Sequence, residues 1–130
     1  MSVSIVPFYA ALLAGLYLFL SLRVIGMRVK GRIGLGDAGN PKLQRAIRVQ
    51  GNFSEYVPLA LILLAFVEMQ QALPLLLHGL SLSLLIGRTI HAYGVSQEQE
   101  DYRLRLTGMI LTFASIAGAG LILIGSFVFG

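Results

Sequence analysis

Four long apolar stretches, separated by two basic zones, constrain this chain more than any other feature. Residues 5–22 and 106–127 carry no charged side chain, residues 73–90 carry only Arg88, and a further apolar run ends near Val67. Each approaches the roughly 20 residues that a helix needs to cross the hydrocarbon core. Backbone polar groups find no water in lipid, so chains of this kind cross it as helices. The expected fold is all-α, an integral membrane four-helix bundle. Its helices should occupy about residues 5–27, 41–69, 72–94 and 103–129 of a single domain covering residues 1–130.

Charge decides against a soluble reading. An average soluble domain is about 25% charged, whereas only 12% of these 130 residues are charged and 56% are hydrophobic. The net charge of +4 would suggest nucleic acid in a soluble protein. Here the basic residues lie between apolar spans, so they read as a topology signal and no nucleic-acid partner is expected. There is no Cys, hence no disulfide, no thiol nucleophile and no Cys-based metal site. Thiol chemistry, if any, must come from a bound molecule.

All ten Lys and Arg fall in two zones, Arg23 to Arg48 and Arg88 to Arg105. In a four-span protein these are the two loops on one side. The bias of Lys and Arg towards the cytoplasm then places both termini outside it. The start carries no positive segment and no small-residue cleavage site, so a cleaved signal peptide is not expected.

Asn40-Pro41 is a helix start, with Asn as N-cap and Pro at the first helical position. The helix that follows carries the most informative stripe in the chain. At about 100° per residue, Arg45, Arg48, Asn52, Glu55 and Tyr56 fall within roughly a 100° arc. Counting back from Glu68 at the outer interface, Glu55 lies about 20 Å away, some 10 Å below the opposite surface of a core about 30 Å thick. Ionised groups at that depth are costly and need a protein seam or a wet pocket. Pro58 removes one helical hydrogen bond and frees the Ser54 carbonyl, so a kink could open the helix beside Glu55.

Other motifs carry less. Gly34-Leu-Gly36-Asp-Ala-Gly39 matches a dinucleotide-binding fingerprint, but that site needs a preceding strand, and here a basic helix end precedes it. A flexible loop is expected. His78 stands alone among Leu and Ser, with no neighbours spaced for a metal site, so it reads as a structural histidine and no metal is expected. Glu68 reads as an interfacial carboxylate ending the second helix. Gly108, Ala114, Gly118 and Gly120 let the fourth helix approach a neighbour closely.

Arg45, Arg48, Arg88 and Arg105 gather near the basic side against one embedded acid, Glu55. This excess of positive charge favours an anionic ligand that also offers an ammonium group to Glu55. Helix–helix glue is the plainer alternative.

Arg48, Asn52, Glu55, Tyr56 and Pro58 together resemble the helix-2 pattern Arg-x-x-x-Asn-x-x-Glu-Tyr-x-Pro of the MAPEG family, membrane-associated proteins in eicosanoid and glutathione metabolism. Gln50 matches its leukotriene-synthase branch. Arg88-Thr-Ile-His91 resembles the Arg-x-x-His of its prostaglandin E synthase branch, and Leu104-Arg105-Leu106 resembles its helix-4 start. With four-helix spacing and Arg28 just after the first helix, the likeness covers nearly the whole chain.

The resemblance implies a homotrimer of four-helix subunits that binds glutathione between neighbours near the cytoplasmic side, with Arg88 and His91 in the binding set. Arg28, Arg48 and Gln50 would serve the carboxylates and backbone of the tripeptide. Asn52, Glu55 and Tyr56 would hold its γ-glutamyl end, with Glu55 facing the ammonium. Arg105 would be the catalytic residue beside the thiol, because a nearby cation favours the thiolate, which is the nucleophile. Two departures stand out. Val95 occupies the place where the eicosanoid branches carry Tyr, with Tyr93 on the opposite helix face, and Arg103 competes with Arg105. The implied function is glutathione transferase or peroxidase chemistry on a lipophilic electrophile entering from membrane lipid, between helices 1 and 4 of adjacent subunits. The alternatives are a non-enzymatic binding or scaffold protein of the same fold and, last, an ion-conducting subunit, for which helices 1 and 4 lack midplane charges.

Overall fold

Each helix boundary follows from local chemistry. Asn40 caps the second helix, its side-chain oxygen accepting from the backbone N–H groups of Lys42 (3.0 Å) and Leu43 (3.2 Å), and Pro41 follows at N1. In the computed structural model, which describes residues 3–130, four helices form: α1 (Ile5–Gly31), α2 (Pro41–Met69), α3 (Pro74–Ser96) and α4 (Tyr102–Phe129). All four are long and apolar enough to cross a membrane, making this a multi-pass membrane protein of the all-α, four-helix class.

Four boundaries differ from expectation: α3 ends two residues later, at Ser96, α4 starts one earlier, at Tyr102, and two others have clear causes. α1 runs one turn further, to Gly31, because Arg32 turns into the left-handed region (φ 56°) and closes the last turn. There Ile33 N–H donates to the Arg28 carbonyl at 2.9 Å, and Arg28 and Lys30 in that turn complement the negative helix end. α3 begins at Pro74, two residues later than expected, because Gln71 adopts φ 60° in the turn after α2. Pro58 lies inside α2, which continues as one helix through it.

α2 and α3 form the centre. Each packs against both of the other helices, whereas α1 and α4 make no contact with one another among the described residues. The core is built from Leu13 and Leu20 of α1, Phe53, Val57, Ala60 and Leu64 of α2, and Leu77 and Leu84 of α3. α4 contributes small side chains instead, with Gly108, Thr112, Ser115 and Ala119 buried along one face. The fit against α3 is close. A Cβ on Gly108 would lie 2.7 Å from the Gly87 carbonyl oxygen and 2.6 Å from His91 Cβ. Ser83 adds a hydrogen bond to the Leu111 carbonyl at 2.7 Å. Of the expected small-residue set, Gly108 and Gly118 face α3 within the chain, whereas Ala114 is exposed and Gly120 has open space beside it.

At the end away from the basic loops, Glu68 is buried, and its carboxylate accepts the backbone N–H groups of Ser4 (3.1 Å), Ile5 (2.7 Å) and Val6 (2.9 Å). These are donors that the first turn of α1 cannot satisfy internally, and a negative charge suits that helix end. Glu68 does stand at the end of the second helix, as expected, and beyond that it caps α1 and so binds two helices. Nearby, the Tyr9 hydroxyl and His78 Nδ1 lie 2.7 Å apart, joining α1 to α3.

Candidate functional site

The polar face of α2 divides between two environments. Asn52 is buried against α3, and Tyr56 meets Phe113 of α4 edge-on, with ring centroids 5.5 Å apart. Arg48 and Glu55 pair at 2.6 Å, two turns apart on α2, yet their side chains remain 54% and 53% exposed. Glu55 and the core residue Val57 are two positions apart, about 200° around the helix, so the ion pair faces away from the core. In lipid this face needs a further polar cover.

Behind it lies a buried cation. Arg88 is 2% exposed and donates from Nη1 to Asn52 Oδ1 at 2.7 Å and to the Asn52 carbonyl at 3.3 Å. Its Nη2 approaches Met109 Sδ at 3.5 Å, its guanidinium carbon sits 5.9 Å from the Tyr56 ring centre, and its Nε has no partner. No carboxylate is paired with it among the described residues. A buried charge balanced only by an amide and a ring face is costly, and an anion nearby would relieve it. His91 is buried one turn along α3, with Arg88, Arg105 and Arg48 the cations around it.

The expected excess of arginine over acid is smaller than the sequence suggests. Glu100, in the loop between α3 and α4, turns inward until its side chain is 2% exposed. Arg105 binds it with Nε (2.7 Å) and Nη2 (2.8 Å), and Arg45 reaches the same carboxylate at 2.8 Å while also donating to the Val95 carbonyl at 2.9 Å. Two of the four arginines expected to face Glu55 alone are therefore shared with Glu100. Burial works to raise the carboxyl pKa of Glu100, but the hydrogen bonds and charges of Arg105 and Arg45 outweigh it and hold the group below its ordinary value.

Arg103 turns away from this cluster, with its side chain 89% exposed and bound to Asp101, the N-cap of α4, at 3.0 Å. Val95 is buried, and Tyr93 points outward, so neither places a hydroxyl in the cluster.

Within one chain, Gln50 and Arg28 do not join the other candidates. Gln50 donates to the Tyr17 hydroxyl of α1 at 3.1 Å, which also accepts from Ser54 at 3.3 Å. Arg28 holds the loop after α1 through the Gly36 carbonyl at 2.7 Å. That loop contains the glycine-rich motif, and Gly36 (φ 68°) and Gly39 (φ 73°) supply turns that other residues adopt reluctantly. Among the described residues it is the helix α1 that precedes it and no strand, which removes the dinucleotide reading.

Sequence reasoning missed Glu100, Tyr17 and Met109. Glu100 had one available signal: it stands just before the Asp101 cap and five residues before Arg105, close enough to fold back onto the first turn of α4. Tyr17 and Met109 gave none, since neither an aromatic nor a thioether in an apolar span stands out.

One family model and two curated relatives match the chain. The model of the MAPEG family matches residues 6–125. Inner membrane protein YecN of Escherichia coli (strain K12) is 38% identical over 108 residues, covering 83% of this chain and 81% of that protein. Inner membrane protein YecN of Escherichia coli O6:H1 (strain CFT073) matches with the same identity and coverage.

Proposed function

This chain belongs to the MAPEG family, and from that premise we propose that it is a glutathione-binding protein of a bacterial inner membrane, acting as a homotrimer on lipophilic electrophiles. Both termini lie outside the cytoplasm, and the chemistry is that of a glutathione transferase or peroxidase.

The observation that carries this reading is the half-exposed Arg48–Glu55 pair on the outward face of α2, at membrane depth, beside the carboxylate-free Arg88. Such a face calls for a second copy of the chain and a polar ligand together. Glutathione offers two carboxylates and one ammonium, which suit Arg48, Arg88 and Glu55. Asn52, Tyr56 and His91 border the same pocket. Gln50 and Arg28 lie on the α1 side of the subunit, where they would complete the site of a neighbour. Because α1 and α4 do not touch within one chain, they are free to meet across subunits and frame a path for the electrophile.

Arg105 is the residue assigned to the thiol. It stands by His91 at the rim of this cluster, whereas Arg103 is directed to Asp101. A guanidinium close to the sulfur favours the thiolate over the thiol and so supplies the nucleophile. Calorimetry with glutathione in detergent tests the binding claim directly. Saturable binding at millimolar glutathione is expected, and its absence from a properly assembled sample would end the proposal.

The grip of Glu100 on Arg105 favours a second reading, in which the protein binds glutathione or another amphiphilic anion, or acts as a scaffold, without turnover. Assays with halonitroarenes and lipid hydroperoxides separate the two: conjugation or peroxide reduction above the uncatalysed rate selects the enzyme.

A further inference from the structure

Arg23, on α1, has no place in the site above, yet among the described residues it has more buried, unpartnered guanidinium nitrogens than any other arginine. Its Nη1 donates to Ser96 Oγ at 2.9 Å, while Nε and Nη2 are buried without any partner. Ser96 donates its own proton to the Ala92 carbonyl at 2.5 Å and accepts from Nη1 alone, so Nε and Nη2 gain nothing from it. An arginine held this way gains by swinging towards an acceptor beside it, since unmade hydrogen bonds of a charged group are costly.

Two recesses meet at this residue. One is an apolar groove of about 290 Å³ between α1 and α3, lined by Leu16, Phe19, Leu20, Ala92 and Tyr93. Thr89, also in its wall, donates its hydroxyl to the Leu85 carbonyl within its own helix. The other is a polar cleft of about 360 Å³ where Arg23, Lys42, Ser96 and Gln97 converge. Arg23, Ser96 and Gln97 line both, so the two are continuous. From Leu16 to Arg23 the groove follows seven residues of helix, about 10 Å. Its polar end adds the start of α2, where the helix dipole is positive. One carboxylate, exposed Glu98, stands at the cleft against the two cations.

We propose that this amphipathic recess is a binding site for an anionic phospholipid, its phosphate held by Arg23 and Lys42 and one acyl chain lying in the α1–α3 groove. Basic pockets between membrane helices are suited to anionic headgroups. A second copy of the chain fits less well. α1, α2 and α3 pack mutually, so the groove opens away from α2 and from the outward Arg48–Glu55 face. Phe19 and Tyr93 on its rim are exposed aromatics at the end where lipid headgroups begin.

The test is native mass spectrometry of the full-length protein taken from vesicles containing equal phosphatidylglycerol and phosphatidylcholine. Retention of phosphatidylglycerol in preference to phosphatidylcholine is expected, and Arg23→Gln and Lys42→Gln should each lower it about fivefold. Thr89→Phe, which fills the groove from an exposed position and leaves the cations in place, should lower it as well. Equal retention of both lipids, unchanged in Arg23→Gln, would overturn the site. Full displacement by inorganic phosphate would reduce it to a headgroup pocket and overturn the lipid assignment. Because the chain has no Cys, Tyr93→Cys gives a single reporter. Disulfide-linked copies in native membranes would hand the groove to a second subunit and also overturn the proposal.

Discussion

Arg105 holds Glu100 through two parallel hydrogen bonds, 2.7 Å from Nε and 2.8 Å from Nη2, so the residue assigned to a thiolate already faces a buried carboxylate. A bidentate pair of this kind fixes the plane of the guanidinium as well as its place. It also offsets part of the positive charge that a bound sulfur would meet.

Neutralising Glu100 should therefore strengthen the site for an anion. Glu100→Gln keeps an oxygen acceptor for Arg105 and removes one negative charge. The apparent pKa of bound glutathione thiol is expected to fall by about one unit, a tenfold rise in the thiolate fraction at a fixed pH below it. Ultraviolet titration of the thiolate measures this. An unchanged titration with glutathione still bound would show that Glu100 only shapes the loop.

Acid should release the same clamp. The Glu100 pKa in the folded protein is below its ordinary value, so its contribution is complete above about pH 4.3 and is lost only as pH falls through the lowered folded value. Amide-exchange protection in residues 97–101, followed against pH and compared with Glu100→Gln, should show a drop confined to that acid range in the native protein and absent from the variant.

Arg105→Ala should leave glutathione binding largely intact and abolish most thiolate formation. Arg103→Ala, which removes a surface contact to Asp101, should change neither. Calorimetry and thiolate absorbance on both variants decide the assignment. A loss with Arg103 rather than Arg105 would reverse it.

Asn52→Ala should destabilise the fold even without ligand. It removes the side-chain oxygen that Arg88 contacts at 2.7 Å, and a hydrogen bond to a charged group contributes about 1.5–3 kcal/mol. A lower thermal midpoint in detergent is expected, partly restored by Arg88→Met, which removes the stranded charge.

Gly108→Ala should be more damaging than its single methyl suggests. The added carbon would fall 2.7 Å from the Gly87 carbonyl oxygen, a backbone atom that cannot swing aside. A loss of about 1–3 kcal/mol is expected for overpacking of this kind. Gly120→Ala, with nothing within 4 Å, is the control and should be neutral in the same thermal measurement.

Much of the fold was legible because the membrane leaves few options. Length, apolar content and the Asn40-Pro41 cap located α2 from Pro41 to Met69, and the other helices to within a turn. The helix-2 stripe was legible as a face, because 3.6-residue periodicity depends on sequence alone. Its division was not. Whether Asn52 turns inward and Glu55 outward depends on where α3 and α4 cross, and that is set by Gly108 together with Gly87, its partner on α3, which nothing in the chain marks out. Glu100 and Glu68 escaped for a related reason. Both stand at helix ends, where an acid reads as solvated, and both fold back onto partners that periodicity cannot reveal.

Glu68 also bears on how the chain comes together. The opening turn of α1 is finished by a carboxylate that follows more than sixty residues later. During synthesis the first helix must wait in the bilayer with an incomplete start until the second has been threaded back to the same side. The α1–α2 hairpin is then the smallest piece that closes its own seam, and an error in the last turn of α2 will be felt at the beginning of the protein.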